Sequence, residues 1–356
     1  MSFQWPVDAQ GLFGERYPQM LNTGLPAVDV DAVRAAVTEM WPDGPGGWVY
    51  EWSALGARYA GQGAHNLAAL AYGWAKFPTM ADEAKRRAQQ HQLDEYLLAA
   101  PDFEVDFERK VLELPYQRGS TTVPAHVFAA PDLPAGVPVV LASGGTDSWK
   151  MDMHGVFVLL ATRFGVRVVA FDVPGTGESS VPFTAQGGEQ IMRGLIAEAR
   201  SLGNGTVVHL GISFGGFLSA RTGLAGEVDG AIVLGGPVEA AWKKAEWKCG
   251  MNGIVGNMLG FDALPVVDEL THVLHDFSLR PLLNQDLNAP MLVVNGADDV
   301  HVPRADTLVF EGRRDTEVHL IRDTGHCATT KFPEATGYIF SWLERTLDNL
   351  AAKVTS

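Results

Sequence analysis

Three residues widely separated in the sequence have the types and spacings for acyl transfer: Ser213, an aspartate near position 299, and His326. Ser213 lies in Gly211-Ile212-Ser213-Phe214-Gly215, a G-x-S-x-G pattern. The β-branched run Thr206-Val207-Val208 precedes it, and small and apolar residues follow. Between a strand and a helix this pattern makes a sharp turn with a strained serine at its apex. The glycines are needed because a Cβ there would meet neighbouring backbone. The hydroxyl is lifted above the sheet edge and placed at a helix N-terminus, where the partial positive charge favours a developing anion. An ordinary strand-to-helix turn with an exposed serine would carry the same pattern, so the partners matter.

A serine hydroxyl becomes a useful nucleophile only when a base takes its proton, and a carboxylate usually fixes the tautomer of that base. Gly296-Ala297-Asp298-Asp299 follows the apolar run Met291–Val294, and Asp323-Thr324-Gly325-His326-Cys327 follows the last strand pattern. The order serine, aspartate, histidine is the one expected when such a turn sits on a parallel sheet. Of ten histidines, His326 alone follows the last strand on a glycine-containing loop. His301 is its closest rival, His154 could face a pocket mouth, and His65, His91 and His272 read as surface or packing residues. Asp299 is favoured as the acid over its neighbour Asp298, with Glu239 as an outsider. Cys327 reads as a small buried neighbour of His326.

A tetrahedral intermediate needs two N–H donors. Phe214, next after the nucleophile, would supply one. Ser143-Gly144-Gly145-Thr146-Asp147 would supply the other through Gly145 or Thr146, its paired glycines allowing close backbone approach. Pro174-Gly175-Thr176-Gly177-Glu178-Ser179 lacks the third glycine of a dinucleotide fingerprint and the lysine of a P-loop, and reads as a structural turn.

These residues must be positioned by strands alternating with helices. From Phe107 onward, strand signals at 107–115, 121–130, 138–143, 166–172, 206–212, 228–234, 290–294 and 317–321 alternate with helical stretches at 150–164, 187–202, 217 onward and 332–353. That pattern predicts a mostly parallel, doubly wound sheet beginning with a hairpin. Residues 1–103 read as a helical cap domain, with helical spacing at 29–40, 51–75 and 80–98, and 104–356 as the catalytic domain. The segment 239–287 interrupts the rhythm and reads as an insertion at one sheet end. Five of the nine tryptophans lie in the cap region, and their aromatic surface is expected to roof a pocket. Trp52, Glu239, Trp242 and Met251 are the expected substrate contacts, with Glu246 a further polar candidate.

The net charge of −15 argues against nucleic acid and anionic membrane surfaces as partners. The two cysteines, Cys249 and Cys327, have no metal spacing and fit a reducing, cytoplasmic compartment. Neither a signal peptide nor an apolar run long enough to span a bilayer is visible. No cofactor or metal is expected; the expected partner is a small-molecule substrate, with a homodimer allowed.

From about residue 104 the chain resembles the α/β-hydrolase superfamily, through Gly211–Gly215, Gly296–Asp299, Gly325-His326 and Phe171-Asp172-Val173-Pro174-Gly175-Thr176-Gly177. A narrower resemblance spans nearly the whole chain. Glu51-Trp52, Gly56, Tyr59, Ala71-Tyr72, Phe77-Pro78 and Gly144–Ser148 resemble the FrsA-like esterases, dihydroxypseudooxynicotine hydrolase and the fungal polyketide-shortening hydrolases. The resemblance implies a serine hydrolase that cleaves either an ester or a carbon–carbon bond beside a ketone. The reading of another class is a ligand-binding protein that keeps the fold without turnover. A fluorophosphonate probe separates the two.

Overall fold

The structure is a computed structural model that describes residues 3–243 and 245–355. Five helices come first: α1 (Ala9–Asn22), α2 (Ala27–Ala36), α3 (Trp48–Gly61), α4 (His65–Lys76) and α5 (Glu83–Ala99). Strands and helices then follow as β1 (Asp106–Tyr116), β2 (Gly119–Ala129), β3 (Val139–Ser143), α6 (His154–Phe164), β4 (Arg167–Phe171), α7 (Ala185–Leu202), β5 (Val207–Ile212), α8 (Phe214–Leu224) and β6 (Gly230–Leu234). The inserted segment holds α9 (Met251–Met258), α10 (Val267–His275) and α11 (Arg280–Leu283). The chain ends with β7 (Met291–Gly296), α12 (Arg304–Leu308), β8 (Thr316–Ile321) and α13 (Phe332–Thr355).

Among the described residues the strands form one eight-stranded sheet in the order β1-β2-β4-β3-β5-β6-β7-β8. The β1–β2 hairpin and the β2–β4 pair are antiparallel, and every pair from β3 to β8 is parallel. β3, β5, β6 and β7 lie inside the sheet and are buried almost throughout, as strands covered on both faces must be. Val140, Val208, Ile232 and Leu292 pack with Phe157 and Leu160 of α6 and Trp342 and Leu343 of α13 on one face. Leu141, Val207, Val233 and Val293 pack with Ile191 and Leu195 of α7 and Phe217 of α8 on the other. This is the α/β-hydrolase fold read from the sequence. It brings the carboxyl ends of β3, β5, β7 and β8 to one edge, where open α/β sheets build their sites.

The helical region differs in detail from its periodicity. The helix expected over 29–40 ends at Ala36, because Thr38 and Glu39 turn their N–H groups to the Gly46 carbonyl. The helical stretch 51–75 divides into α3 and α4 at a turn through Gly63, whose φ is +72°. The helix α1 has no counterpart among the expected elements. Asp8 caps it by accepting from the Gly11 N–H at 3.0 Å, which satisfies one of the first-turn donors.

Trp48, Trp52 and Trp74 of the helical region pack in a core instead of roofing a pocket. Phe13 of α1 stacks on Trp52 at 5.7 Å, and Trp48, Trp74 and Phe77 complete the cluster. Trp48 and Trp52 are 0% exposed. They are the core of the helical region itself, and Trp52 is therefore not a substrate contact. No helix of the described residues is long and apolar enough to cross a membrane, and none of their His, Cys, Asp and Glu side chains group as a metal site.

Candidate active site

β5 runs into Ser213, whose backbone sits at φ 57° and ψ −122°, a sparsely populated region that costs about 1–3 kcal/mol. The turn is held on both sides. The Ser213 N–H donates to the Leu234 carbonyl at the end of β6 (2.8 Å), and the Gly215 N–H donates to the Gly144 carbonyl after β3 (2.9 Å). A Cβ on Gly211 would lie 1.9 Å from the Gly215 carbonyl oxygen, so this position requires glycine.

His326 follows β8 in a 3-10 turn, His326–Lys331, that is kinked by positive φ at Cys327 and Ala328. Its Nε2 lies 2.8 Å from Ser213 Oγ and its Nδ1 lies 2.7 Å from Asp299 Oδ2. The Asp299 side chain is wholly buried. It also accepts from Asn295 Nδ2 (2.8 Å) and from the N–H groups of His301 (2.8 Å) and Val302 (3.0 Å). Burial opposes its charge, but His326 and these donors outweigh burial and hold the carboxyl at about 2. An ionised carboxylate only accepts, so in the neutral imidazole Nδ1 carries the proton and the Nε2 lone pair faces Ser213. Burial also opposes an imidazolium at His326, but the adjoining Cys327 sulfur and Asp299 favour it, and its pKa is raised above the ordinary value. Asp298, by contrast, is exposed and pairs with Arg304 at 3.1 Å.

The loop after β3 packs onto the serine. A Cβ on Gly145 would come within 2.8 Å of Ser213 Cβ, so glycine lets this backbone approach. The Gly145 N–H donates to the Ser148 carbonyl at 2.9 Å. Thr146 and Phe214 line one cavity together with Ser213.

Two cavities meet at Ser213 and His326. The larger, about 430 Å³, has Leu70, Val156, Leu159, Phe332 and Phe340 on its apolar side. The smaller, about 40 Å³, is walled by Trp242, Trp247, Met251, Val255 and His301. Trp242 and Met251 thus both line the smaller cavity. Glu239 and Glu246 line neither cavity. The Glu239 side chain is drawn away into an ion pair with Arg280, while its N–H is bound by the Asp306 carboxylate at 3.0 Å. His154 borders the larger cavity, bonded to the Tyr96 hydroxyl at 2.8 Å, and burial lowers its pKa to about 4.

The profile of the family described as "Esterase FrsA-like" matches residues 43–348. The chain belongs to the FrsA-like esterase family. Among curated relatives it is 27% identical over 209 residues to "Esterase FrsA" of Vibrio vulnificus (strain YJ016), covering 54% of this chain and 49% of that protein. It is 26% identical over 249 residues to "Alpha/beta hydrolase pydG" of Acremonium sp, covering 60% and 57%. The chain thus spans about half the length of the curated relatives it matches. Among solved structures, "AbyA5 Wildtype" superposes with a TM-score of 0.81 at 20% identity, covering 98% of this chain and 99% of that one. The 2,6-dihydroxy-pseudo-oxynicotine hydrolase superposes at 0.72 and 20% identity, covering 90% and 94%. Both likenesses show the α/β-hydrolase fold.

In this FrsA-like chain the unforeseen α1, outside the matched residues, lines the larger cavity and bonds to the loops after β3, β7 and β8. Glu15 bonds His301 Nε2 beside Asp299 (2.9 Å), Arg16 pairs with Asp147 (2.8 Å), Gln19 bonds Ser148 Oγ (3.0 Å), and Asn22 bonds the Thr329 carbonyl (3.1 Å). Lys76 of α4 adds a bond to Asp152 at 2.7 Å and lies 3.5 Å over the Trp149 ring. The Arg16 and Asp147 side chains are 8% and 6% exposed, and removing one member of such a pair strands the other charge. Arg16→Ala or Asp147→Ala is expected to cost about 3–5 kcal/mol. Arg16→Met with Asp147→Leu is expected to cost far less than the sum of the single changes, read from urea unfolding midpoints.

Proposed function

We propose that this chain is a serine hydrolase in which Ser213 attacks a carbonyl, His326 moves the proton and Asp299 orients His326. The observation that carries the reading is the continuous contact from Ser213 Oγ through His326 to Asp299, at 2.8 and 2.7 Å. In the first step the Ser213 proton passes to Nε2 as the oxygen bonds the carbonyl carbon. The N–H groups of Phe214 and Thr146 hold the oxyanion. Collapse expels the leaving group, which takes the proton from His326. Water then repeats the sequence on the acyl-serine, releasing the acid and restoring Ser213.

The bond cleaved is a carboxylic ester of a small molecule with one apolar part, because such a leaving oxygen needs nothing beyond this machinery. The family name and the curated relatives called esterases support it. A carbon–carbon bond beside a ketone is the second reading, favoured by Arg16. Arg16 lines the larger cavity, and its buried Nε has no protein partner among the described residues. A fixed cation with an uncommitted N–H suits an enolate leaving group, which His326 then protonates on carbon. A panel of matched aryl esters and 1,3-diketones decides between them. Aryl esters are expected to turn over, and kcat in Ser213→Ala is expected to fall by at least ~10³. A diketone kcat/KM comparable to that of the ester would establish the second reading, and inert diketones would remove it.

The raised pKa of His326 fixes the sign of the pH dependence. The base must be neutral to accept the Ser213 proton, so kcat/KM falls as pH drops through that pKa. The acid limb is expected above the ordinary 6.5. Asp299→Asn removes the charge that favours the imidazolium, so its limb moves down while the rate drops sharply. A limb unmoved in Asp299→Asn would contradict the pairing.

A further inference from the structure

The smaller cavity holds two polar atoms that the proposed mechanism does not use. His301 and Trp242 both line it, with side chain and residue respectively 4% and 3% exposed. His301 Nδ1 and Trp242 Nε1 are buried and have no hydrogen-bond partner among the described residues. Buried polar atoms in a folded protein are nearly always paired, so two orphans in one small wall call for an explanation.

Their chemistry is complementary. Burial opposes the charge of Glu15, but His301 and Arg16 outweigh it and hold its carboxyl at about 2. Glu15 is therefore an acceptor, and the bond to His301 Nε2 at 2.9 Å places the proton on Nε2. In the neutral imidazole the nitrogen left over, Nδ1, carries a lone pair. The indole Nε1–H of Trp242 can only donate. One acceptor and one donor belong to residues that line the same cavity, beside the apolar side chains of Met251, Val255 and Trp247. A carboxylate has no proton for Nδ1, and an ammonium has no lone pair for the indole. A hydroxyl satisfies both.

We propose that this cavity binds a hydroxyl group on the acyl part of the substrate, which donates to His301 Nδ1 and accepts from Trp242 Nε1–H. The assignment rests on the serine-hydrolase reading. The acyl side is indicated because Thr146 and Phe214, proposed to hold the carbonyl oxygen, line this cavity and not the larger one. Its volume of about 40 Å³ suits a group of a few heavy atoms, since about 10–15 Å³ of such space holds one water. The larger cavity takes the leaving group. Both orphans are held firmly. Glu15 anchors the His301 ring, and the Asp306 carboxylate accepts from Val238, Glu239, Ala240 and Ala241, fixing the segment that carries Trp242. His301 and Trp242 are thus specificity-determining residues, and the substrate class is a short hydroxyacyl ester.

4-Nitrophenyl glycolate and propionate differ in the acyl part by a hydroxyl against a methyl of similar size. The ratio of their kcat/KM values is read within each protein, so a general loss of folded enzyme does not move it. His301→Gln and, independently, Trp242→Phe are expected to lower the glycolate-to-propionate ratio at least tenfold from that of the unsubstituted protein. A site built around a hydroxyl discriminates strongly against its absence. Ratios within twofold of one another in all three proteins overturn the hydroxyl site while leaving the hydrolase. Turnover of neither ester by the unsubstituted protein overturns the hydrolase reading, and the hydroxyl site with it.

Discussion

Ser213 occupies a backbone conformation, φ 57° and ψ −122°, that a side chain makes costly, and its surroundings exist in a form that keeps it there. Gly211 leaves room for the Gly215 carbonyl, and Gly145 leaves room for Ser213 itself. The bonds from Ser213 to Leu234 and from Gly215 to Gly144 tie the turn to the strand on one side and the loop on the other. Those anchors are available because β5 lies between β3 and β6 in parallel register, so three strand ends arrive together. The same register carries Asp299 and His326 in from β7 and β8. The strained turn is a local feature, but only a buried parallel sheet can hold it.

The second constraint is electrostatic. Asp147 beside the serine loop and His301 beside Asp299 both find their partners on α1, at the adjacent residues Arg16 and Glu15. Docking a helix through buried charges is poor value in stability, since desolvation offsets most of the attraction. It does fix one arrangement, because any other seating leaves the charges unpaired. The aromatic face of α1, through Phe13 on Trp52, joins it to α3 and α4, while its polar face meets the site. The helical region is therefore part of the site's wall rather than a lid laid over it.

The residues of the site that were legible in the sequence are those with local signatures. The glycines around Ser213, the acidic loop after an apolar strand and the histidine after the last strand each stand out within a few residues. The alternation of strands and helices gave the sheet for the same reason. The choice between Gly145 and Thr146 was not legible, because it turns on where one N–H points. α1 leaves little periodic trace in the sequence because Gly11, Gly14 and Pro18 interrupt the apolar pattern, and its polar residues serve the site instead of an amphipathic surface. Trp52 and Glu239 were misplaced for a related reason. Aromatic density does not tell a pocket wall from a core, and an acid in an inserted loop does not reveal an arginine forty residues away. The two orphan atoms of His301 and Trp242 have no sequence signal at all, since each is defined by a partner that is missing.

Covalent labelling reads out whether Ser213 is an activated nucleophile. After brief exposure to a fluorophosphonate at neutral pH, the intact mass is expected to rise by one adduct, carried by the peptide containing Ser213 and lost in His326→Ala. An unmodified protein, or an adduct on another residue, would contradict that role and leave a ligand-binding protein on a hydrolase fold.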